Sequence, residues 1–366
     1  MKVTFFTRWD KVIDTMMIKL ELDKEVFSKL FDFVNDFLEA YDLGKLWFNK
    51  NAERYVTTKL AKHGFLEIIF HKTKFKWYLE VKLQPIRLLR ENEMVELCRF
   101  EDYYLVESGF NEFWSDVINS EATLPDFMHF ANWKVSRIDY AFQFQTPHLQ
   151  TYLDLLQCGR INKYFTKHDY ETSVYTTANT VNLNFYDKYA QLKGKTYLKN
   201  SDIESAKNLL RLEVQCKSDY LQKLKKKFEL DKMNVREFWN VNIAEHVLTY
   251  RIKTLVGELD FYRFDVANKK LGEHVGNNGL ILQSILRCIA QTNNITLAKK
   301  KFCESHSGVS FEKWDKLLCK LRKDFGINPL TFSNTEEELP SVLKNPCSLL
   351  AEDFKRSKVI SNSKTP

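Results

Sequence analysis

Glycine and proline are scarce in this 366-residue chain, at 11 and 7 residues. That scarcity excludes collagen-like and linker-dominated chains, and the 44% hydrophobic content excludes a wholly disordered one. No apolar run approaches the ~18 residues that a membrane-spanning helix requires. The stretch Met1–Leu20 mixes Arg8, Asp10, Lys11 and Asp14 among its apolar residues, so a signal-peptide core is not expected there. The seven cysteines are odd in number and scattered from Cys98 to Cys347, which points to reduced thiols in a cytoplasm. Glycine-rich phosphate loops are missing, so the chain is not expected to be a motor ATPase. Charge of neither sign dominates: 55 Lys and Arg face 48 Asp and Glu, a net +7 that permits a nucleic-acid partner without requiring one.

What the chain has in abundance is aromatic: 28 Phe, 16 Tyr and 7 Trp. The spacing of Phe27, Leu30, Phe31, Val34, Phe37 and Leu38 predicts a helix over Glu25–Tyr41. Short alternating segments rich in Val, Ile, Phe and Tyr predict strands over Phe65–His71, Lys76–Leu83, Lys134–Phe144, Thr172–Thr177, Val181–Lys188 and Leu209–Lys217. Leu149–Cys158 and Asp202–Leu209 read as helical. Past about Asp219 the pattern turns helical and charged, through Asn240–Leu255, Leu280–Ala290, Thr296–His306 and Ser310–Phe325. From Ser333 onward the chain is polar, and disorder is expected over Ser361–Pro366.

Alternate residues of a strand face opposite sides of its sheet. Period two sets Arg137, Asp139 and Gln143 against Ile138, Tyr140 and Phe142. It likewise sets Arg211, Glu213 and Gln215 against Leu210, Leu212 and Val214. Tyr78, Glu80 and Lys82 share a third such face, and Asn182, Asn184, Tyr186 and Lys188 a fourth. The expected fold is therefore α+β, an antiparallel sheet with helices on one face and the polar face left open. The order Arg-apolar-acid occurs twice, at Arg137–Asp139 and Arg211–Glu213, which hints at a duplicated unit. Carboxylates from separate strands can hold Mg²⁺ or Mn²⁺, and arginines can grip phosphate oxygens. A tyrosine hydroxyl is a weak nucleophile near neutral pH unless a metal, a lysine or a base assists it. Equally, Arg–Glu pairs are routine on any one-sided antiparallel sheet.

Five segments in order resemble the replication endonucleases of filamentous phages, the gene II/X protein family, and the tyrosine-dependent rolling-circle initiators of small bacterial plasmids. They are Ile13–Leu20 (IDTMMIKL), Trp77–Leu89 (WYLEVKLQPIRLL), Val135–Pro147 (VSRIDYAFQFQTP), Glu171–Lys188 (ETSVYTTANTVNLNFYDK) and Leu209–Leu221 (LLRLEVQCKSDYL). The resemblance implies a mixed sheet-and-helix nuclease core that nicks and rejoins origin DNA to start rolling-circle replication. It implies Tyr186 as nucleophile, Lys188 beside it, and Glu80, Asp139 and Glu213 as ligands of Mg²⁺ or Mn²⁺. Arg137 and Arg211 would support those ligands or hold phosphate. Many relatives carry a glutamate five residues after the tyrosine, where this chain has Gln191. Tyr189 is a rival nucleophile, but period two puts it on the face opposite Tyr186.

The implied partners are double-stranded origin DNA, the displaced single strand, and a host helicase and polymerase. The setting would be a bacterial cytoplasm, with no membrane contact. Oligomeric state stays open, a dimer on the origin being one arrangement. The domain expectation is a nicking and joining unit over 1–225, a helical, DNA-binding candidate over 226–332, and a polar tail over 333–366. Two other readings keep the same polar face: a non-catalytic origin-binding organiser, and a conjugative relaxase. The absence of a His-hydrophobic-His pair argues against the two-histidine class of nicking nucleases, and Cys303-x-x-His306 lacks the second close pair a structural zinc needs. The lysine clusters Lys223–Lys227 and Lys299–Lys301 are either solvated helix faces or phosphate contacts. Thr296–His306 with Ser310–Phe325 is either a helix-turn-helix or ordinary helical packing.

Overall fold

The computed structural model describes residues 11–118, 124–160, 164–195, 198–273, 277–333 and 339–363. One large sheet organises the first two thirds. Its strands are β1 (Lys11–Leu22), β2 (Trp47–Asn49), β3 (Arg54–Thr57), β4 (Phe65–Lys72), β5 (Trp77–Leu83), β6 (Cys98–Arg99), β7 (Lys134–Gln145), β8 (Thr166–Tyr170), β9 (Ser173–Thr177), β10 (Val181–Asp187) and β11 (Leu209–Lys217). The spatial order is β2-β3-β4-β5-β1-β7-β11-β10-β9-β8, with β6 also on β1, and every pairing is antiparallel. The two strands carrying the Arg-apolar-acid order are neighbours, β7 beside β11, at the middle of this sheet.

The helices of this part are α1 (Lys24–Ala40), α2 (Pro85–Leu89), α3 (Tyr103–Val117), α4 (Leu149–Cys158), α5 (Lys188–Lys193), α6 (Asn200–Ser205) and α7 (Ser218–Lys227). Asp23 starts α1, its carboxylate accepting from the Val26 amide, and the helix buries Phe27, Leu30, Val34 and Leu38 against the sheet. The aromatic abundance fills this layer. Phe27 meets Phe70 edge-on at 5.3 Å, Phe110 meets Trp133 at 5.3 Å, and Phe144 meets Tyr152 at 5.1 Å. Tyr140 is buried on the same side and donates its hydroxyl to the Phe238 carbonyl at 2.6 Å.

The C-terminal third holds α8 (Val235–Phe238), α9 (Val241–Val256), α10 (Phe264–Gly272), α11 (Asn277–Thr292), α12 (Ile295–Ser305), α13 (Phe311–Lys323) and α14 (Pro346–Ser363), with short strands β12 (Phe261–Arg263), β13 (Thr331–Phe332) and β14 (Val342–Leu343). A single apolar cluster runs from Val12 on β1 to Phe354 on α14, because α9 packs directly under β7 and β11. The boundary expected near residue 225 falls inside α7. The tail expected to be polar and partly disordered instead carries β14 and α14, because Leu349, Leu350 and Phe354 are buried. Of its expected disordered end, 361–363 close α14, and 364–366 lie outside the described residues. No helix among the described residues is long and apolar enough to cross a membrane. All seven cysteines are free thiols.

Candidate active site

Strand pairing assembles the polar face. Register places Tyr186 opposite Arg211, Arg211 opposite Gln143, Glu213 opposite Ala141, and Asp139 opposite Thr15. Asp139 and Glu213 are thus diagonal neighbours on adjacent strands, within side-chain reach of one another. The Tyr186 hydroxyl donates to the Glu213 carboxylate. Arg137 holds Asp139 with both ends of its guanidinium, Nε reaching Oδ1 at 2.7 Å and Nη2 reaching Oδ2.

Lys188 is not the last residue of a strand, as period two predicted. Asp187 ends β10, and its carboxylate accepts from the Tyr189 and Ala190 amides to begin α5. The turn still brings the Lys188 ammonium over the Tyr186 ring, 5.7 Å from its centroid. Gln191, standing where relatives carry a glutamate, accepts from Lys188 Nζ at 2.7 Å. Tyr189 points away from this cluster and donates to Glu204 at 3.3 Å.

At this end the polar face is covered, contrary to the expectation of an open one. Tyr186, Asp139, Arg211, Glu213 and Lys188 are all 5% exposed or less. The cover is α5, α6 and the chain at Met94–Val95, held by a small apolar cluster of Met94, Leu192 and Ala206 with Val95, Tyr189, Leu198 and Ile203. The Val95 carbonyl also accepts from Arg211. Alternation in the strands could not reveal this, because the covering residues lie in short segments with no long period.

Two participants escaped the sequence reading. Asp14 accepts from Arg211 Nη1 at 2.8 Å and from the Thr15 hydroxyl at 2.9 Å. Gln143 accepts from Arg211 Nε at 2.9 Å and Nη2 at 2.6 Å. Gln143 carried a signal, its place on the Arg137–Asp139 face. Asp14 carried none, because by simple alternation it belongs with Met16 and Ile18 on the core side. An irregularity in the pairing of β1 with β7 between Ile13 and Thr15 breaks that phase.

Glu80 stands apart. It lies on β5, separated from β7 by β1, and is held by the Ser136 hydroxyl at 2.9 Å and by His71 Nε2 at 3.3 Å. Burial pushes its carboxyl up, but those two hydrogen bonds together with the charges of His71 and Lys19 hold it below the usual range. Among the described residues no group of three or more His, Cys, Asp or Glu is arranged to hold a metal ion.

Burial dominates the electrostatics of the covered cluster. It raises Asp139 to about 6 against the pull of Arg137. Burial, then the neighbouring Asp14, raises Glu213 to about 8. Burial, then Arg211, lowers Lys188 to about 7. Tyr186 is pushed well above its ordinary value by burial and then by the Glu213 charge. An acid whose folded pKa is raised holds its proton more tightly folded than unfolded. The Glu213 contribution is therefore full below the unfolded value of 4.5 and lost as pH rises through about 8. Glu213→Gln, which cannot ionise, is expected to gain in Tm relative to the wild type as pH climbs through that window, measured by thermal melts in EDTA. A difference that stayed flat or fell with pH would refute the raised pKa.

Comparison with known proteins bears on residues 103–247, which match the Phage_CRI family model, described as the N-terminal part of a replication-associated protein. No curated protein matches the chain. The matched stretch contains Arg137, Asp139, Tyr186, Lys188, Arg211 and Glu213, whereas Asp14 and Glu80 lie before it. The similarity, over less than half of the chain, is to a phage replication-associated protein.

Proposed function

We propose that this replication-associated chain is a DNA nicking and joining enzyme that starts rolling-circle replication, with Tyr186 as its nucleophile. The observation that carries the reading is the Tyr186 hydroxyl donating to a buried Glu213, with Lys188 over the ring and Arg211 alongside. Burial keeps the free phenolate unfavourable, so attack needs a base that takes the proton as the bond forms. Glu213 accepts the Tyr186 hydroxyl's hydrogen bond, so its ionised carboxylate is in place to take that proton. The Tyr186 oxygen then forms a bond to the DNA phosphorus, and the bond to the 3′-oxygen breaks. That oxygen takes up a proton from solvent and leaves as the 3′-OH that primes a host polymerase, while the tyrosine proton stays on Glu213. The 5′-phosphate stays on the tyrosine, and the reverse attack by a 3′-OH rejoins the displaced strand.

Arg137 and Arg211 are the phosphate-directed cations of the site, though both are held by carboxylates here. Asp139 and Glu213 are the donors suited to Mg²⁺ or Mn²⁺. They are hard oxygen ligands side by side, and the Asp139 charge adds to the rise in the Glu213 pKa, a repulsion that a divalent cation relieves. The ion, when bound, would polarise the phosphodiester. Glu80, tied to Ser136 and His71, is outside that pair and serves the same face at a distance. Because Tyr186 is so little exposed, the scissile strand has to enter beneath α5 and α6, and the cover shifts on binding.

The test is incubation with supercoiled DNA carrying the native replicon in Mg²⁺, Mn²⁺ or EDTA, followed by denaturing electrophoresis. Metal-dependent open circles with protein on a 5′ end are expected. Tight origin binding with intact supercoils in every condition would instead make the protein a non-catalytic organiser.

A further inference from the structure

Away from the covered tyrosine, α11, α12 and α13 form a three-helix unit whose outer surface has no role in the chemistry above. The sequence left this pair of helices open between a helix-turn-helix and plain packing. Three residues, Ser307, Gly308 and Val309, separate the C-cap of α12 at His306 from the N-cap of α13 at Ser310. Asn294 caps α12 by accepting from the Leu297 amide at 2.9 Å, and Ser310 caps α13 from Lys313 at 3.2 Å. Val309 is buried in the turn, and the fully buried Trp314 meets Phe302 at 5.2 Å. Lys299 on α12 pairs with Asp315 on α13 at 2.7 Å, tying the two helices at their surface. Two capped helices, a three-residue turn and a shared core make a rigid presenting unit.

The segment that carries the two helices is biased in charge. Ile295–Asp324 contains eight Lys and Arg against four Asp and Glu, a surplus of four in a chain whose whole surplus is seven. Plain packing needs no such concentration, whereas DNA phosphates do. Lys316 and Lys320 are one helical turn apart on α13, with Lys316 exposed and Lys320 half-buried along its stem. Phe311, the first residue of α13, carries the Lys299 ammonium 5.2 Å from its ring centroid, a second tie between the two helices.

We propose that α13, presented by α12 and α11, enters the major groove of double-stranded DNA. Lys316 and Lys320, one turn apart on its outer side, lie against the phosphates. The inference rests on the nicking reading only for the choice of DNA as partner, and it assigns duplex recognition to a surface separate from Tyr186.

The experiment compares the full chain with Lys316→Glu/Lys320→Glu, both surface changes, with circular dichroism to confirm that the fold is kept. Binding to a fluorescein-labelled duplex of arbitrary sequence is titrated at several salt concentrations, beside the matching single strand. The double variant is expected to bind duplex at least ~10-fold more weakly, with the log–log salt slope reduced by about 2. Single-strand binding is expected to stay within about twofold of wild type. Unchanged duplex affinity and slope in a folded variant would overturn the proposal, as would equal losses for duplex and single strand. Tyr186→Phe in the same titration should bind duplex normally. Failure of the nicking reading would thus appear as cleavage by that variant, and failure of the α13 reading as duplex binding that ignores the two lysines.

Discussion

Tyr186→Phe is expected to abolish covalent attachment to DNA and to cut nicking by about 10⁴-fold or more, the scale seen when a nucleophile is removed. The ring keeps its place between β11 and β9, because its burial is set by the sheet and not by the hydroxyl. Glu213 loses its hydrogen-bond donor, which costs about 1–3 kcal/mol for a buried polar group left without a partner. Loss of stability and loss of chemistry are separable: circular dichroism and origin binding should be near normal while the protein–DNA adduct disappears from denaturing gels. A variant that still nicked would remove Tyr186 from the nucleophile's role. Tyr189→Phe serves as the matched control, since its hydroxyl reaches only Glu204 on the cover, and near-normal nicking is expected from it.

Arg211→Leu is expected to be the most damaging single change to the fold of this site. Arg211 is fully buried and its guanidinium meets Asp14, Gln143 and the Val95 carbonyl at once. A leucine fills part of the volume but leaves the Asp14 charge without its counter-ion. Breaking a buried ion pair from one side costs about 3–5 kcal/mol. Urea unfolding should show that loss as a lower midpoint with little change in slope. Adding Asp14→Asn should recover part of it, because the orphaned charge is then gone. A loss below about 1 kcal/mol would mean that water reaches Asp14 and replaces the arginine. Arg211→Lys is expected to behave poorly too, since one ammonium cannot serve three acceptors lying in different directions.

The resemblance and the strand patterns located most of the candidate site for a definite reason. Tyr186, Asp139, Arg137, Arg211 and Glu213 all sit inside regular strands, where side-chain direction alternates with each residue. Leu209–Lys217 and Leu149–Cys158 were readable to their ends for the same reason, as clean periods of two and 3.6. Lys188 stands on the Tyr186 side of the sheet, but strand alternation is not what puts it there. It lies past the end of β10, and the turn capped by Asp187 directs it there.

The amino-acid order by itself determined which strands have a polar side, which residues stand on it, and where the helical third begins, since each is a local matter of spacing and side-chain size. Tertiary structure alone decided what those polar sides become. Strand order put β7 beside β11 and kept β5 one strand further off, so Asp139 and Glu213 met while Glu80 went to His71 and Ser136. A pairing irregularity in β1 delivered Asp14 to Arg211 against its own alternation. Closure by α5 and α6 turned a solvated face into a buried one, where desolvation raises Asp139 and Glu213 and lowers Lys188. Period speaks only of which way a side chain points along its own strand. Neighbouring strands, bulges and burial are set by segments far away in the chain, and the chemistry of this cluster depends on those.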